Sequence, residues 1–193
     1  MVYYSIDTEA KLRIYFAMAL ISTMISSSLL FFEKFTAYKL LAPSALILYG
    51  LLIKAFDLYL WKLPIINNFT RIPNLNGTWK GFFLRPEEYG QEAIKVDVIL
   101  KITQTWSKIA VSSEAEKTTS EVKTISISIE NPNEIKLQYI YLVKNKTGLE
   151  PKSEYGEGFT ELTLFKDEDG LILKGPYYSN KPRKGYSEFR LTK

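Results

Sequence analysis

Residues 94–103 read Ile-Lys-Val-Asp-Val-Ile-Leu-Lys-Ile-Thr, and their alternation decides the fold of most of the chain. Ile94, Val96, Val98, Leu100 and Ile102 share one parity, while Lys95, Asp97, Lys101 and Thr103 take the other. Successive side chains of a strand point to opposite faces, so this period of two marks a strand with one face buried. The same pattern returns downstream. Ile125, Ile127 and Ile129 alternate with Thr124, Ser126 and Ser128; Leu137, Tyr139, Tyr141 and Val143 share a face; Leu162 and Leu164 share another. The spacing predicts eight strands, near 78–85, 93–105, 107–113, 122–130, 134–144, 158–166, 170–176 and 186–192. Turn residues separate several of them: Pro86 to Gly90, Asn131-Pro132-Asn133 and Asp167 to Gly170.

Eight short consecutive strands without a helical interruption imply an antiparallel up-and-down meander. Closing it into a barrel removes the exposed edges and leaves room for a small ligand. Gly77-Thr78-Trp79 is similar to the Gly-x-Trp of lipocalin-type barrels, although a tryptophan in the core would account for it equally. The charged outer faces of these strands exclude a barrel that itself faces lipid.

Upstream, the pattern is different. Residues 14–32, IYFAMALISTMISSSLLFF, are nineteen residues without a charge. As a helix they reach about 28 Å, enough to cross the hydrocarbon core of a bilayer. Tyr15 and Phe16 at one end, and Phe31, Phe32 and Phe35 at the other, match interfacial aromatic belts. A second apolar run, Leu40 to Ile53, continues with aromatic and aliphatic residues to Trp61 and predicts a second span. Lys39 and Lys54 are placed to snorkel toward headgroups, and Lys54 and Asp57 to neutralise each other. The fold class expected is thus a membrane protein. Two N-terminal transmembrane α-helices (1–62) are followed by a linker rich in Pro and Asn (63–76) and an all-β, eight-stranded antiparallel up-and-down barrel (77–193). Lys11, Arg13, Lys54, Lys62 and Arg71 flank the spans on one side, against Lys34 and Lys39 in the connection, which places both termini in the cytoplasm. On the first span Ala19, Thr23 and Ser27 recur every four residues, with Ser22 and Ser26 alongside. Such small residues form a membrane-helix interface, either with the second helix or with other copies.

Composition narrows the chemistry. The 193 residues include neither cysteine nor histidine, which excludes disulfides, Cys/His zinc sites, thiolate nucleophiles and histidine acid/base catalysis. There is no glycine-rich phosphate loop, and the carboxylate run Asp167 to Asp169 falls in a turn. Binding is expected rather than catalysis, with no cofactor. Residues 174–190 hold Lys174, Lys181, Arg183, Lys184 and Arg190 around Tyr177 and Tyr178, with Glu188 the only acid. Cationic donors match phosphate and aromatic faces stack on bases. A solvated basic loop beside core aromatics explains the same residues. Over residues 73–193 eighteen Lys/Arg balance seventeen Asp/Glu, which disfavours long nucleic acid and leaves a small phosphorylated ligand.

The order of motifs resembles the two-transmembrane, β-strand-rich effectors of cyclic-oligonucleotide-based antiphage signalling systems (CBASS). Two apolar helices precede Leu75-Asn76-Gly77-Thr78-Trp79-Lys80-Gly81. Ile102-Thr103-Gln104-Thr105-Trp106, Tyr139-x-Tyr141, Tyr155-Gly156 and Gly175-x-Tyr177-Tyr178-Ser179 follow, then a basic segment with Gly185. In the family an Arg follows the terminal aromatic pair, where this chain has Lys181, then Pro182-Arg183; an ammonium lacks the bidentate fork of a guanidinium. The resemblance implies a cytoplasmic barrel that binds a cyclic di- or oligonucleotide made by a partner synthase. It also implies self-association into oligomers whose helices disrupt the bacterial inner membrane. It assigns stacking to Trp106, Tyr139, Tyr141, Tyr177 and Tyr178, phosphate pairing to Lys181, Arg183 and Lys184, a base edge to Gln104, and a minor role to Trp79. Two other schemes fit the same residues: a receptor held inactive by a constitutive ligand and released when phage sequesters it, and a membrane-tethered lipocalin-like carrier of an apolar ligand.

Overall fold

The computed structural model describes residues 1–6, 10–35, 43–86, 93–131, 134–146, 156–180 and 183–192. They form two units, Thr8–Ile72 and a second built from Met1–Asp7 together with Pro73–Lys193.

The helical unit holds α1 (Ala10–Phe35), α2 (Ala45–Leu58) and α3 (Pro64–Thr70). Within α1, Lys11–Phe32 is long and apolar enough to cross a membrane. By contrast, α2 does not fulfil the expected second span. It has only 14 residues, a rise of about 21 Å, where a span needs about 20 residues. Its start is fixed by Ser44, whose Oγ accepts a hydrogen bond from the Ile47 N–H at 3.4 Å. Its helical hydrogen bonding then stops at Tyr59, and a short 3-10 turn carries Trp61. The expected linker of breakers begins with α3 instead, because Pro64 sits in the first helical turn, where its missing N–H costs nothing. On α1 the buried residues are Ile14, Met18, Ser22 and Ser26, four apart, while Thr23 and Ser27 are exposed and Ala19 is half-buried. The Ser26 hydroxyl donates to the Pro43 carbonyl at 3.3 Å, and Ser22 and Thr23 both donate to the Ala19 carbonyl at 2.9 Å.

The barrel strands are β3 (Gly77–Arg85), β4 (Ile94–Gln104), β5 (Lys108–Ala115), β6 (Thr118–Asn131), β7 (Glu134–Asn145), β8 (Gly156–Asp167), β9 (Gly170–Ser179) and β10 (Arg183–Thr192). Each pairs antiparallel with its neighbour in sequence, and β10 closes on β3. The expected eight-stranded up-and-down barrel is therefore present. Its strands run past the expected ends where both faces are polar, so that β5 and β6 meet in a tight turn at Glu116 and Lys117. Val98, Leu100 and Ile102 point inward on β4, and with Trp79, Leu137, Leu162, Leu173 and Phe189 they fill the core. Gly81 permits the wall to bend. A Cβ there would collide with the Glu188 carbonyl on the paired strand. The Asp167 to Gly170 run is a turn, with Asp167 Oδ1 accepting from the Asp169 and Gly170 N–H groups at 3.0 Å each and Gly170 at φ 137°.

One part of the barrel comes from the other end of the chain. β1 (Val2–Tyr3) pairs antiparallel with β5, and β2 (Ser5–Ile6) pairs parallel with β6. The first residues thus belong to the barrel rather than to the helical unit. Five residues are too short a run for periodicity to separate strand from helix.

Candidate functional site: a tyrosine-lined cavity at one end of the barrel

The inward face changes character along the strands. At the end where β3 leads to β4, β5 to β6, β7 to β8 and β9 to β10, the aliphatic core gives way to a cavity of about 200 Å³. Its rings are Phe83, Tyr139, Tyr141 and Tyr177, and its hydroxyls come from Ser113, Thr118, Ser120 and Ser179. Val96, Val98, Ala115 and Val143 complete the wall, so none of the described lining side chains is charged. Phe83 meets Tyr177 edge-on at 5.0 Å and Phe189 at 5.5 Å, and the Tyr139 and Tyr141 rings lie 6.0 Å apart. Gly158 makes room for Tyr141, since a Cβ there would overlap the phenol.

Burial raises the Tyr139 pKa well above the ordinary tyrosine value, reinforced by Tyr141. Burial likewise pushes Tyr141 up to about 12, with Tyr177 adding to the rise. Both phenols stay protonated at neutral pH and are donors as well as acceptors. Thr160, fully buried between them, approaches both closely enough to favour their ionised forms slightly, yet its Oγ1 has no hydrogen bond of good geometry among the described residues. A neutral cavity of rings and hydroxyls can stack on a flat heterocycle and exchange hydrogen bonds with its polar edge.

Tyr139, Tyr141 and Tyr177 are thus brought together. Tyr178 is not; it is half exposed on the outer face, with Lys184 as its register partner on β10. Arg183 is the register partner of the lining residue Ser179, so its backbone lies at the cavity end of the barrel; Lys181 lies outside the described residues. Arg190 and Lys174 are engaged elsewhere, Arg190 with Asp167 at 3.1 Å and Lys174 over the Phe165 ring at 4.4 Å.

Gln104, Trp106 and Trp79 are also remote from the cavity. Gln104 is 2% exposed at the opposite end of β4, where its Oε1 accepts from the Leu75 N–H at 2.9 Å and its Nε2 donates to the Tyr4 hydroxyl at 3.4 Å. Asn76 bonds the Gln104 backbone on both sides, at 2.6 and 3.0 Å. Trp106 is buried in the β4–β5 turn beyond it. Trp79 donates its Nε1–H to the Leu75 carbonyl at 3.0 Å in the core. The sequence did not single out Phe83, Ser113, Ser120 or Thr160. Parity was the available signal: Phe83 shares the parity of Trp79, and Ser113 that of Ile109 and Val111.

A barrel whose one end is packed solid and whose other end opens on a small polar-edged cavity is a ligand-binding barrel, here carried with an apolar N-terminal helix. Residues 70–193, more than half of the chain, match the family described as "Cap15, cyclic dinucleotide receptor domain". The chain belongs to that family. It is also similar to CD-NTase-associated protein 15 of Yersinia aleksiciae, at 29% identity over 138 residues that cover 72% of this chain and 64% of the relative. This chain therefore spans less than two thirds of the relative's length.

Proposed function

We propose that the chain is a CBASS effector whose barrel receives a cyclic dinucleotide made by a partner CD-NTase and thereby controls its membrane helix α1. The observation that carries this is the uncharged cavity of three tyrosines and four hydroxyl residues, whose lining residue Ser179 is the register partner of Arg183. A base stacks among Tyr139, Tyr141 and Tyr177, with Ser113 and Ser120 reading its polar edge and the buried Thr160 packed against the two phenols. The phosphates remain at the mouth, near Lys181, Arg183 and Lys184. This division suits the size: 200 Å³ is below the roughly 300–1,000 Å³ of a pocket that encloses a whole drug-sized ligand, and suits one part of a larger one. Downstream, ligand-dependent self-association brings copies of α1 together in the bacterial inner membrane, with the barrel on the cytoplasmic side, and disrupts the bilayer. In the reverse scheme a constitutive ligand holds the chain inactive.

The neutral lining also favours one second reading, a carrier of an apolar ligand. Thermal unfolding of the full chain in detergent separates the two. A cyclic dinucleotide at a hundred times its dissociation constant is expected to stabilise the barrel by about 2.7 kcal/mol. A panel of cyclic dinucleotides that leaves the melting temperature unmoved, with a rise on adding a fatty acid, defeats the receptor in favour of the carrier.

A further inference from the structure

β5 and β6 form a hairpin that closes only near its turn. They pair directly through Ser112–Glu121, Ser113–Ser120 and Glu114–Thr119, and the Ser113 and Ser120 hydroxyls lie 2.5 Å apart beside the cavity. Beyond that zipper the strands part, and residues 2–6 fill the seam. Val2 and Tyr3 bond to Ile109 and Lys108 of β5, and Ser5 and Ile6 bond to Ser126 and Ile127 of β6. Between them Tyr4 turns into the core, 4% exposed, while Tyr3 is 74% exposed. The same two strands therefore grip the insert and line the cavity; Ile125, next to Ser126, is the register partner of the cavity residue Tyr139.

The insert is held by two register pairs on each side, against three in the β5–β6 zipper beside it and seven to twelve in the remaining ladders of the barrel. Short ladders open at lower free energy than long ones. Its remaining bonds converge on the end of β4: the Tyr4 hydroxyl donates to the Thr105 carbonyl at 3.3 Å and accepts from Gln104, which also holds Leu75. Tyr4 precedes the helical unit in the chain and Leu75 follows it, so one glutamine ties both covalent leads to the helices.

We propose that residues 2–6 are a separable seam strand, docking and undocking as a unit while the eight barrel strands stay paired, and that its docking is coupled to occupancy of the cavity. The separability stands on the seam geometry alone; the coupling rests on the receptor reading above. Any such coupling is reciprocal: ligand shifts strand docking by the factor by which docking shifts ligand affinity.

The chain contains no cysteine, so Tyr3→Cys with Lys108→Cys puts its only two thiols on register partners of one face, where the Lys108 ammonium now lies 4.6 Å over the Tyr3 ring. In the unmodified full chain in detergent, amide exchange of residues 2–6 is expected to be at least about tenfold faster than that of β3 and β10, and oxidation of the double variant removes the difference. Residues 2–6 protected as long as β3 in the unmodified chain would overturn separability. If the double variant does not fold, Tyr4→Phe keeps the ring and removes the hydroxyl bonds. It is expected to speed exchange in residues 2–6 alone, and a rise spread evenly over all strands refutes the idea. A second arm adds cyclic di-GMP, cyclic di-AMP or cyclic GMP-AMP to the unmodified chain. A nucleotide that raises the melting temperature is expected to change exchange of residues 2–6 by about threefold or more, and one that binds without doing so overturns the coupling. If none binds, the receptor reading fails and the coupling with it, while the first arm still decides separability.

Discussion

The two ends of the barrel are made from the same strands and the same parity of residues, yet they do different physical work. At the end where the chain enters from the helical unit, Trp79, Leu75 and Gln104 are all buried, and the Gln104 amide, the Trp79 Nε1–H and the Leu75 N–H find partners in the chain's own backbone, in one another or in Tyr4. At the other end, inward positions carry tyrosines, serines and a glycine, and a fully buried threonine hydroxyl lacks a well-formed bond. A closed interior has few sources of polar partners: itself, water or a ligand. At the first end the Gln104 and Trp79 side chains bond the chain's own backbone, whereas at the second the hydroxyls line a cavity.

Substitutions test that contrast, and the largest effect belongs to the packed end. Trp79→Ala removes a fully buried ring and its hydrogen bond to Leu75. It is expected to cost about 3–5 kcal/mol in thermal or denaturant unfolding, enough to abolish the folded barrel. Gln104→Ala comes next: it strands the Leu75 N–H and is expected to cost about 1–3 kcal/mol in the same assay. A loss from Gln104→Ala no greater than from removing a cavity serine erases the distinction between the two ends.

The cavity end is probed by pH. Tyrosine ionises near 10 when unfolded, but Tyr141 in the barrel ionises near 12. Between those values the folded state keeps a proton that the unfolded state has lost. Stability is therefore complete below about pH 10 and falls as pH rises toward the folded value, by about 1.4 kcal/mol at pH 11 for Tyr141. Tyr141→Phe is expected to flatten the slope of melting temperature between pH 10 and 11.5, and an unchanged slope would show that the ring is not buried as described. The smallest stability effect is that of Thr160→Val. Removing a hydroxyl without a good partner is expected to change stability by under about 1 kcal/mol in either direction. The same change should weaken binding of whichever cyclic dinucleotide stabilises the wild type. A large loss of stability instead would mark Thr160 as a folding residue.

Much of this was legible in advance, and each miss has its own cause. Alternation survives into the fold as burial at Val98, Leu100 and Ile102, while Ile94 and Val96 lie exposed at the cavity end, and eight such segments leave few arrangements other than a closed meander. Tyr139 and Tyr141 were legible because they continue the parity of Leu137. Gln104 received its base-edge role from the resemblance alone; the fold places it at the end of β4 away from the cavity, where its Oε1 accepts from the Leu75 N–H, 29 residues away in the chain. Ser113 and Ser120 look like solvent-facing residues, since a hydroxyl facing a cavity and one facing water have the same period. Hydropathy continued through the second apolar run, but Ser44 and the break at Tyr59 limit α2 to 14 residues.

The seam strand also orders events during synthesis. Ser5 pairs with Ser126, and the intervening stretch includes the whole apolar helix. At about 5–20 residues per second, residues 2–6 wait roughly 6–24 s after they are made before their β6 partners exist. Over that interval α1 is available to the membrane-insertion machinery while the barrel has neither a closed wall nor a cavity. The apolar helix is thus complete well before the barrel can close, and the seam between β5 and β6 is filled by residues made long before either strand.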